Sequence, residues 1–340
     1  MKKAVVGSLI TALLAAGVAV AATTNVVSVN VVGFQKLDIA GGSNTTYTLL
    51  SAPMTKIPAV RGTITANGAA TISDSTMSWT PGEFATNVSG KEAFGKSTFF
   101  VEIASSNAPL AGRHFYIKDN DATTLTLIDS LGVPDNALNT YSYKIVAANR
   151  VRDIFGETNA PTLTGGNNAG LSDNILVWNP TSGWELPIWF RTATKNWIQN
   201  SIIVNDKVID RDEGFLVKRL AGATSTNLTV AGEVSGNLQS IVLDGTAYSL
   251  VGGMSVVDVP INQSGLTNSL ASGNNAGLAD NVLFWTPGVG WSLPVWRRTS
   301  TGLWMQNGVD VSSTFIIRAG QGYLILKRGA TAEWDRKSPL

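Results

Sequence analysis

Cysteine is absent from all 340 residues, and histidine occurs once. These gaps exclude thiol catalysis, disulfide staples, thiolate metal centres, cysteine acylation and the usual zinc ligand sets. A chain of this length does without disulfides because its core is large enough. Charge is scarce too: Asp, Glu, Lys and Arg make up 14 % of residues, against ~25 % in an average domain. The formal net charge is +1, which gives no electrostatic case for nucleic acid or an anionic membrane. Heptads and long helical periodicity are missing, as are a Gly-x-Ser-x-Gly elbow and a phosphate-cradling glycine loop ahead of a helix. In their place stand 44 % apolar residues, enough for a packed core, and many Ser, Thr, Asn and Gly residues.

The N-terminus reads as a secretory signal. Lys2 and Lys3 precede an alanine-rich apolar run, Ala4 to Val20, and Ala19-Val20-Ala21 offers the small-x-small cleavage pattern. The run falls short of the ~20 strongly apolar residues of a membrane anchor, so residues 1–21 are expected to be removed. Loss of two lysines and no acids then turns the net charge from +1 to −1. No later segment is long and apolar enough to span a membrane.

Eight of the ten tryptophans form one pattern written twice. Trp178, Trp184, Trp189 and Trp197 return as Trp285, Trp291, Trp296 and Trp304, each displaced by 107 positions. Their flanks return with them, Gly166–Pro180 as Gly273–Pro287. The second half therefore reads as an internal duplication of domain-sized units, since solenoid repeats have periods of only about 20–50 residues. Val-rich and Thr-rich runs with short polar turns predict an all-β fold, as tandem β-sandwich or small-barrel domains. A meander is expected over Thr98–Ile103, Arg113–Ile117 and Thr124–Ile128, and any helix is short, near Val151–Gly156. The expected divisions are a strand segment over 22–45, a first β domain over 46–142, copy A over 143–247 and copy B over 248–340. Tyr143-Lys-Ile-Val146 and Tyr248-Ser-Leu-Val251 are read as the opening strands of the two copies. Asn25–Gly33, Val-rich and unpaired in this reading, is a candidate self-assembly strand.

Strand alternation divides Trp184–Arg191 into two faces. Trp184, Leu186, Ile188 and Phe190 make the expected core row, with Trp291, Leu293 and Val295 matching it. Trp189 and Arg191 fall on the opposite face, as do Trp296 and Arg298. Those four are the candidate ligand-binding residues: an exposed indole stacks on a pyranose while the arginine bonds its hydroxyls. Packing within the sheets uses the same residues, because a Trp buries ~150–250 Å², and so does a protein interface.

Other motifs carry less. Asp119-Asn-Asp121 begins like a calcium loop, but Thr124 and Ser130 stand where Gly and Glu are required. Asp173 and Asp280 open the repeated Asp-Asn pairs and read as loop-fixing residues. His114 reads as an ordinary strand residue. Glu185 neighbours Trp184, but its counterpart is Ser292, so no carboxylate pair suggests glycosidase chemistry. No catalytic residue, metal or cofactor is expected.

The order Phe99–Ile103, Ala111-Gly-Arg113 with Ile117, and Thr123–Leu127, followed by Ser172–Trp178, Ala279–Trp285 and the Gly-[Phe/Tyr]-Leu strands, resembles a family of uncharacterised exported proteins of Verrucomicrobia and related bacteria. The resemblance runs from about Val29 to Arg328 and implies export from a two-membrane bacterium, to the periplasm, the cell surface or beyond. It brings no activity and no binding residues. The expected function is a non-catalytic structural or adhesive protein of the cell surface or matrix, with polysaccharide binding through the Trp/Arg faces as the alternative.

Overall fold

Among the described residues strands dominate, and helices are confined to single turns such as Val151–Phe155. The computed structural model describes residues 32–85, 97–157, 163–236, 238–253 and 255–336; the expected signal segment, 1–21, and residues 25–31 of the candidate assembly strand lie outside them. Val60–Ala147 builds one antiparallel seven-stranded sheet, in the spatial order Val60–Thr63, Ser142–Ala147, Phe99–Ile103, His114–Asn120, Thr124–Leu127, Thr71–Ser73 and Ala66–Gly68. It contains the expected meander, whose second strand runs on to Asn120 with a register shift between Ile117 and Asp119. It also has its own core, including Ile72, Trp79, Val101, Leu125 and Ile145.

The two copies make the same strand pairings. In copy A, Gly214–Arg219 lies between Asn174–Asn179 and Thr46–Ser51. In copy B, Gly322–Leu326 lies between Asn281–Leu283 and Tyr248–Gly252. Trp178 faces Trp184 across a hairpin, as Trp285 faces Trp291. Trp197 and Trp304 are buried at the centres of the two cores, beside Phe215 and Tyr323 respectively.

These pairings move the expected boundaries. Tyr143 opens no repeat: Ser142–Ala147 pairs with Val60–Thr63 and Phe99–Ile103 inside the seven-stranded sheet. Thr46–Ser51 is the counterpart of Tyr248–Gly252, so Tyr47 matches Tyr248. Val32–Ile39 pairs along its length with Thr226–Glu233, as Gln239–Leu243 pairs with Ala332–Arg336. Copy A is thus discontinuous, and the seven-stranded sheet is inserted between its second strand and the remainder. The 22–45 segment is no separate element either. Its described part supplies copy A's first strand, and Val32 and Gly33 of the proposed assembly strand are paired with Glu233 and Gly232.

The copies then pack on one another reciprocally. Ser51 N–H donates to Gly320 O at 2.8 Å, and its counterpart Gly252 N–H donates to Asp212 O at 2.9 Å. Trp178 Nε1 donates to Tyr248 O at 3.1 Å, and Trp285 Nε1 to Tyr47 O at 2.9 Å. Leu49, Leu216 and Leu250 are buried in the seam, with Leu324 packed against them. Each surface meets the equivalent surface of the other copy, the pattern of an isologous contact. Gly214 and Gly322 sit where the sheets touch. A Cβ on Gly322 would lie 2.9 Å from Leu50 O and from Leu49 Cγ, and one on Gly214 would lie 3.0 Å from Leu250 Cγ. Gly322→Val is expected to lower stability by about 1–3 kcal/mol or more, through overpacking. Chemical denaturation would read this as a lower midpoint; an unchanged midpoint would show that the seam is not close-packed.

Candidate functional site

The repeated tryptophans are exposed in the opposite sense to the alternation reading. Trp189 and Trp296 are buried, each 7 % exposed, whereas Trp184 and Trp291 are 39 % and 36 % exposed. Leu186 and Leu293 are exposed with them. The reason is local: strand geometry covers only Gly183–Trp184 and Trp189–Arg191. The chain between them holds Pro187, which supplies no N–H for a ladder, and leaves the two-residue alternation. Arg191 and Arg298 lie over the Trp189 and Trp296 rings, with guanidinium carbons 5.2 and 5.7 Å from the ring centres. The four candidate binding residues therefore form two cation–π caps over buried rings, with no open indole face for a sugar to cover. Each exposed tryptophan instead stands edge-on to its hairpin partner: Trp184 to Trp178 at 5.2 Å, Trp291 to Trp285 at 5.4 Å.

Asp173 and Asp280 act as latches. The Asp173 carboxylate accepts from Thr164 N and Leu220 N and pairs with Arg219 at 2.8 Å. Asp280 accepts from Ala271 N and Arg328 N and pairs with Lys327 at 3.0 Å. Both are buried, so they tie the repeated loop to the end of the Gly-[Phe/Tyr]-Leu strand. The loop's own Asn168 caps its turn by accepting from Gly170 N and Leu171 N.

The junction of the copies opens into two related clefts. The larger, about 610 Å³, lies between Trp285 and Pro287 of copy B and the first two strands of copy A. Its wall includes Phe284, Trp285, Phe315 and Tyr323, and its rim carries Lys36, Asp38 and Arg318. These three charges are exposed and enter no ion pair among the described residues. The smaller, about 190 Å³, lies between Trp178 and Pro180 of copy A and the first two strands of copy B, where Asp212, Glu213 and Asp244 line it. Equivalent positions give different linings: Gly320 and Gln321 stand in the larger cleft where Asp212 and Glu213 stand in the smaller. The larger falls within the ~300–1,000 Å³ range of ligand clefts.

A buried polar seam joins the inserted sheet to copy A. Glu102, fully buried, pairs with Lys144 at 2.8 Å and with Arg211. Arg61 pairs with Glu233 at 2.8 Å. His114 is bracketed by two carboxylates, Nε2 2.8 Å from Asp210 and Nδ1 3.3 Å from Asp212, and Tyr116 donates to Asp210. His114 is thus a hub rather than an ordinary strand residue. Three ligand-type atoms lie within 4.8 Å of one another here, but the carboxylates sit at different ring nitrogens and Arg211 Nε is 3.4 Å from Asp212. A carboxylate at each ring nitrogen favours the protonated ring over a shared metal ion. Sequence reading missed it because Asp210 and Arg211 are 96 and 109 positions from the residues they meet.

No protein-family model, curated protein or solved structure matches this chain.

Burial opposes charge on His114, but Asp210 and Asp212 outweigh it and hold its pKa above the ordinary value. Burial, with Asp210 and Glu102 adding to it, pushes Asp212 up to about 6 against the opposing pull of His114 and Arg211. Both groups bind protons more tightly in the folded chain, so their stabilisation is full at low pH and declines as pH rises through the folded values. For Asp212 the decline falls between its ordinary 3.8 and about 6; for His114 it begins above the ordinary 6.5. Tm should therefore fall above about pH 6.5, and His114→Gln should flatten that fall. A variant with the wild-type pH slope would show that His114 does not carry it.

Proposed function

We propose that this chain is an exported, non-catalytic adhesive protein that holds a polysaccharide strand in the cleft between its two repeat copies. The cleft's aromatic wall and charged rim carry this reading. An apolar wall suits the carbon face of a sugar ring, and Lys36, Asp38 and Arg318 offer donors and an acceptor to its hydroxyls. Trp291, held edge-on beside Trp285, extends the apolar surface beyond the cleft. The sequence resemblance and the N-terminal leader support export. The repeat itself is best explained by internal duplication, after which the two junction clefts acquired different linings. Polysaccharide binding, expected at Trp189, Arg191, Trp296 and Arg298, moves in this proposal to the junction, because those four residues are engaged with one another.

The triple variant Lys36→Ala, Asp38→Ala, Arg318→Ala should lose retention on an insoluble polysaccharide by tenfold or more (about 1.4 kcal/mol) with an unchanged Tm. Rim charges exposed to water contribute little to folding, so binding and stability separate here. Wild-type protein that binds none of a panel of neutral and acidic polysaccharides would reject the reading. Retention unaffected by the triple change would reject this cleft.

A further inference from the structure

Copy A carries a group of three side chains with no counterpart in copy B. Lys207 Nζ lies 3.0 Å from Gln199 Oε1 and contacts Glu185 Oε2. The same Glu185 oxygen is 3.1 Å from Gln199 Nε2. Lys207 and Gln199 are buried, while Glu185 is partly open to solvent. Gln199 is fixed by a second bond, Nε2 donating to Leu186 O at 2.7 Å, which turns its carbonyl oxygen toward the lysine. In copy B, Gln306 makes the same bond to Leu293 O at 2.8 Å. There Ser292 and Thr314 stand where Glu185 and Lys207 stand in copy A. The glutamine's structural duty therefore needs neither charged partner, and an ion pair between Lys207 and Glu185 would not need the glutamine.

The geometry points to an intramolecular amide bond between Lys207 and Gln199, formed with Glu185 as the proton carrier. An amine, a carboxamide and a carboxylate that touches both the amine and the leaving nitrogen are the components of a transamidation. Glu185 accepts a proton from the Lys207 ammonium, and the freed Nζ attacks Gln199 Cδ. The new Nζ–Cδ bond forms, the Cδ–Nε2 bond breaks, and Glu185 delivers its proton to Nε2 as it departs. One of the three ammonium protons stays on the new amide; the other two leave with the NH2 group as ammonium ion. No oxidant, metal or cofactor enters the balance. Holding the reactants within contact distance removes the entropic cost that makes such a reaction slow between free molecules. The product closes a loop across the hairpin of Asn196–Gln199 and Ile202–Ile203, and replaces a buried ion pair with a neutral bond.

Peptide mapping of the full chain tests this. In an unlinked chain, trypsin cuts after Lys195, Lys207 and Arg211, releasing 196–207 and 208–211 as separate peptides. Acylated Lys207 is not a trypsin site. The linked chain should therefore give a single 196–211 peptide lighter by one ammonia, with fragment ions missing between 199 and 207. Glu185→Gln should restore the two ordinary peptides at full mass while remaining folded by circular dichroism. Lys207→Arg, which keeps the cation, should leave a full-mass Gln199 peptide. Wild-type protein yielding unmodified 196–207 and 208–211 would overturn the proposal. So would loss of ammonia with cleavage after Lys207 intact, the mark of cyclisation at an asparagine instead. A link that persists in Glu185→Gln would overturn the role of Glu185.

Discussion

How close the two repeat copies can come is set by Gly214 and Gly322. Without Cβ atoms, the central strands of the two sheets approach until backbone meets backbone, and the reciprocal bonds at Ser51 and Gly252 become possible. The indole N–H groups of Trp178 and Trp285 then reach carbonyls of the opposite copy. Larger side chains here would hold the sheets apart and open both clefts into a slot. The clefts are by-products of that approach: each lies where one copy's Trp-Pro turn overhangs the other copy's first two strands. Their shared origin explains why they are built alike and why a few substitutions suffice to line them differently.

The insertion places a second demand on copy A. Its second and third structural pieces are separated in sequence by the whole seven-stranded sheet, yet Thr46–Ser51 must still pair with Gly214–Arg219. The insert has to return the chain close to where it left, and the buried polar seam fixes that geometry. Removing one member of a buried pair leaves a charge without compensation, at a cost of about 3–5 kcal/mol, so the seam discriminates sharply between the correct docking and any displaced one. Val208, packed against Phe100, Tyr116 and Val146, supplies the adjoining apolar contact. Orientation comes from the charges and adhesion from the apolar surface.

The fold class was legible in the sequence because it rests on local pattern: β-prone runs, polar turns and a repeat too long for a solenoid. The tryptophan register was legible too, and Trp178↔Trp184 and Trp285↔Trp291 face one another as the repeat implies. What was not legible depends on non-local facts. Tyr143-Lys-Ile-Val146 imitates Tyr248-Ser-Leu-Val251 as well as Thr46–Ser51 does, and only pairing partners distinguish them. Exposure of Trp184 and burial of Trp189 invert because a proline between them breaks the two-residue alternation that assigned their faces. His114, a single histidine with no motif around it, gains its environment from a loop of copy A. A weak signal did exist: Asp210-Arg-Asp212 is a dense cluster of charge in a charge-poor chain.

Scarcity of charge makes the positions of the remaining charges informative. Many of the described acids and bases are drawn inward. Glu102, Lys144 and Arg211 sit in the seam, Asp173 with Arg219 and Asp280 with Lys327 in the latches, and Lys207 beside Glu185. Buried pairs contribute little net stability but specify one arrangement over its neighbours. Two halves with the same strand pairings need that specification, since Thr46–Ser51 and Tyr248–Gly252 take equivalent places beside equivalent strands. The latches cannot supply it, because Asp173–Arg219 and Asp280–Lys327 are alike in both copies. The differences can. Copy A carries the polar seam and the Lys207–Gln199–Glu185 group, and copy B carries neither. Charge that would ordinarily cover a surface serves here to make two similar halves distinguishable, and it leaves Lys36, Asp38 and Arg318 at the rim of the aromatic cleft with no ion pair among the described residues.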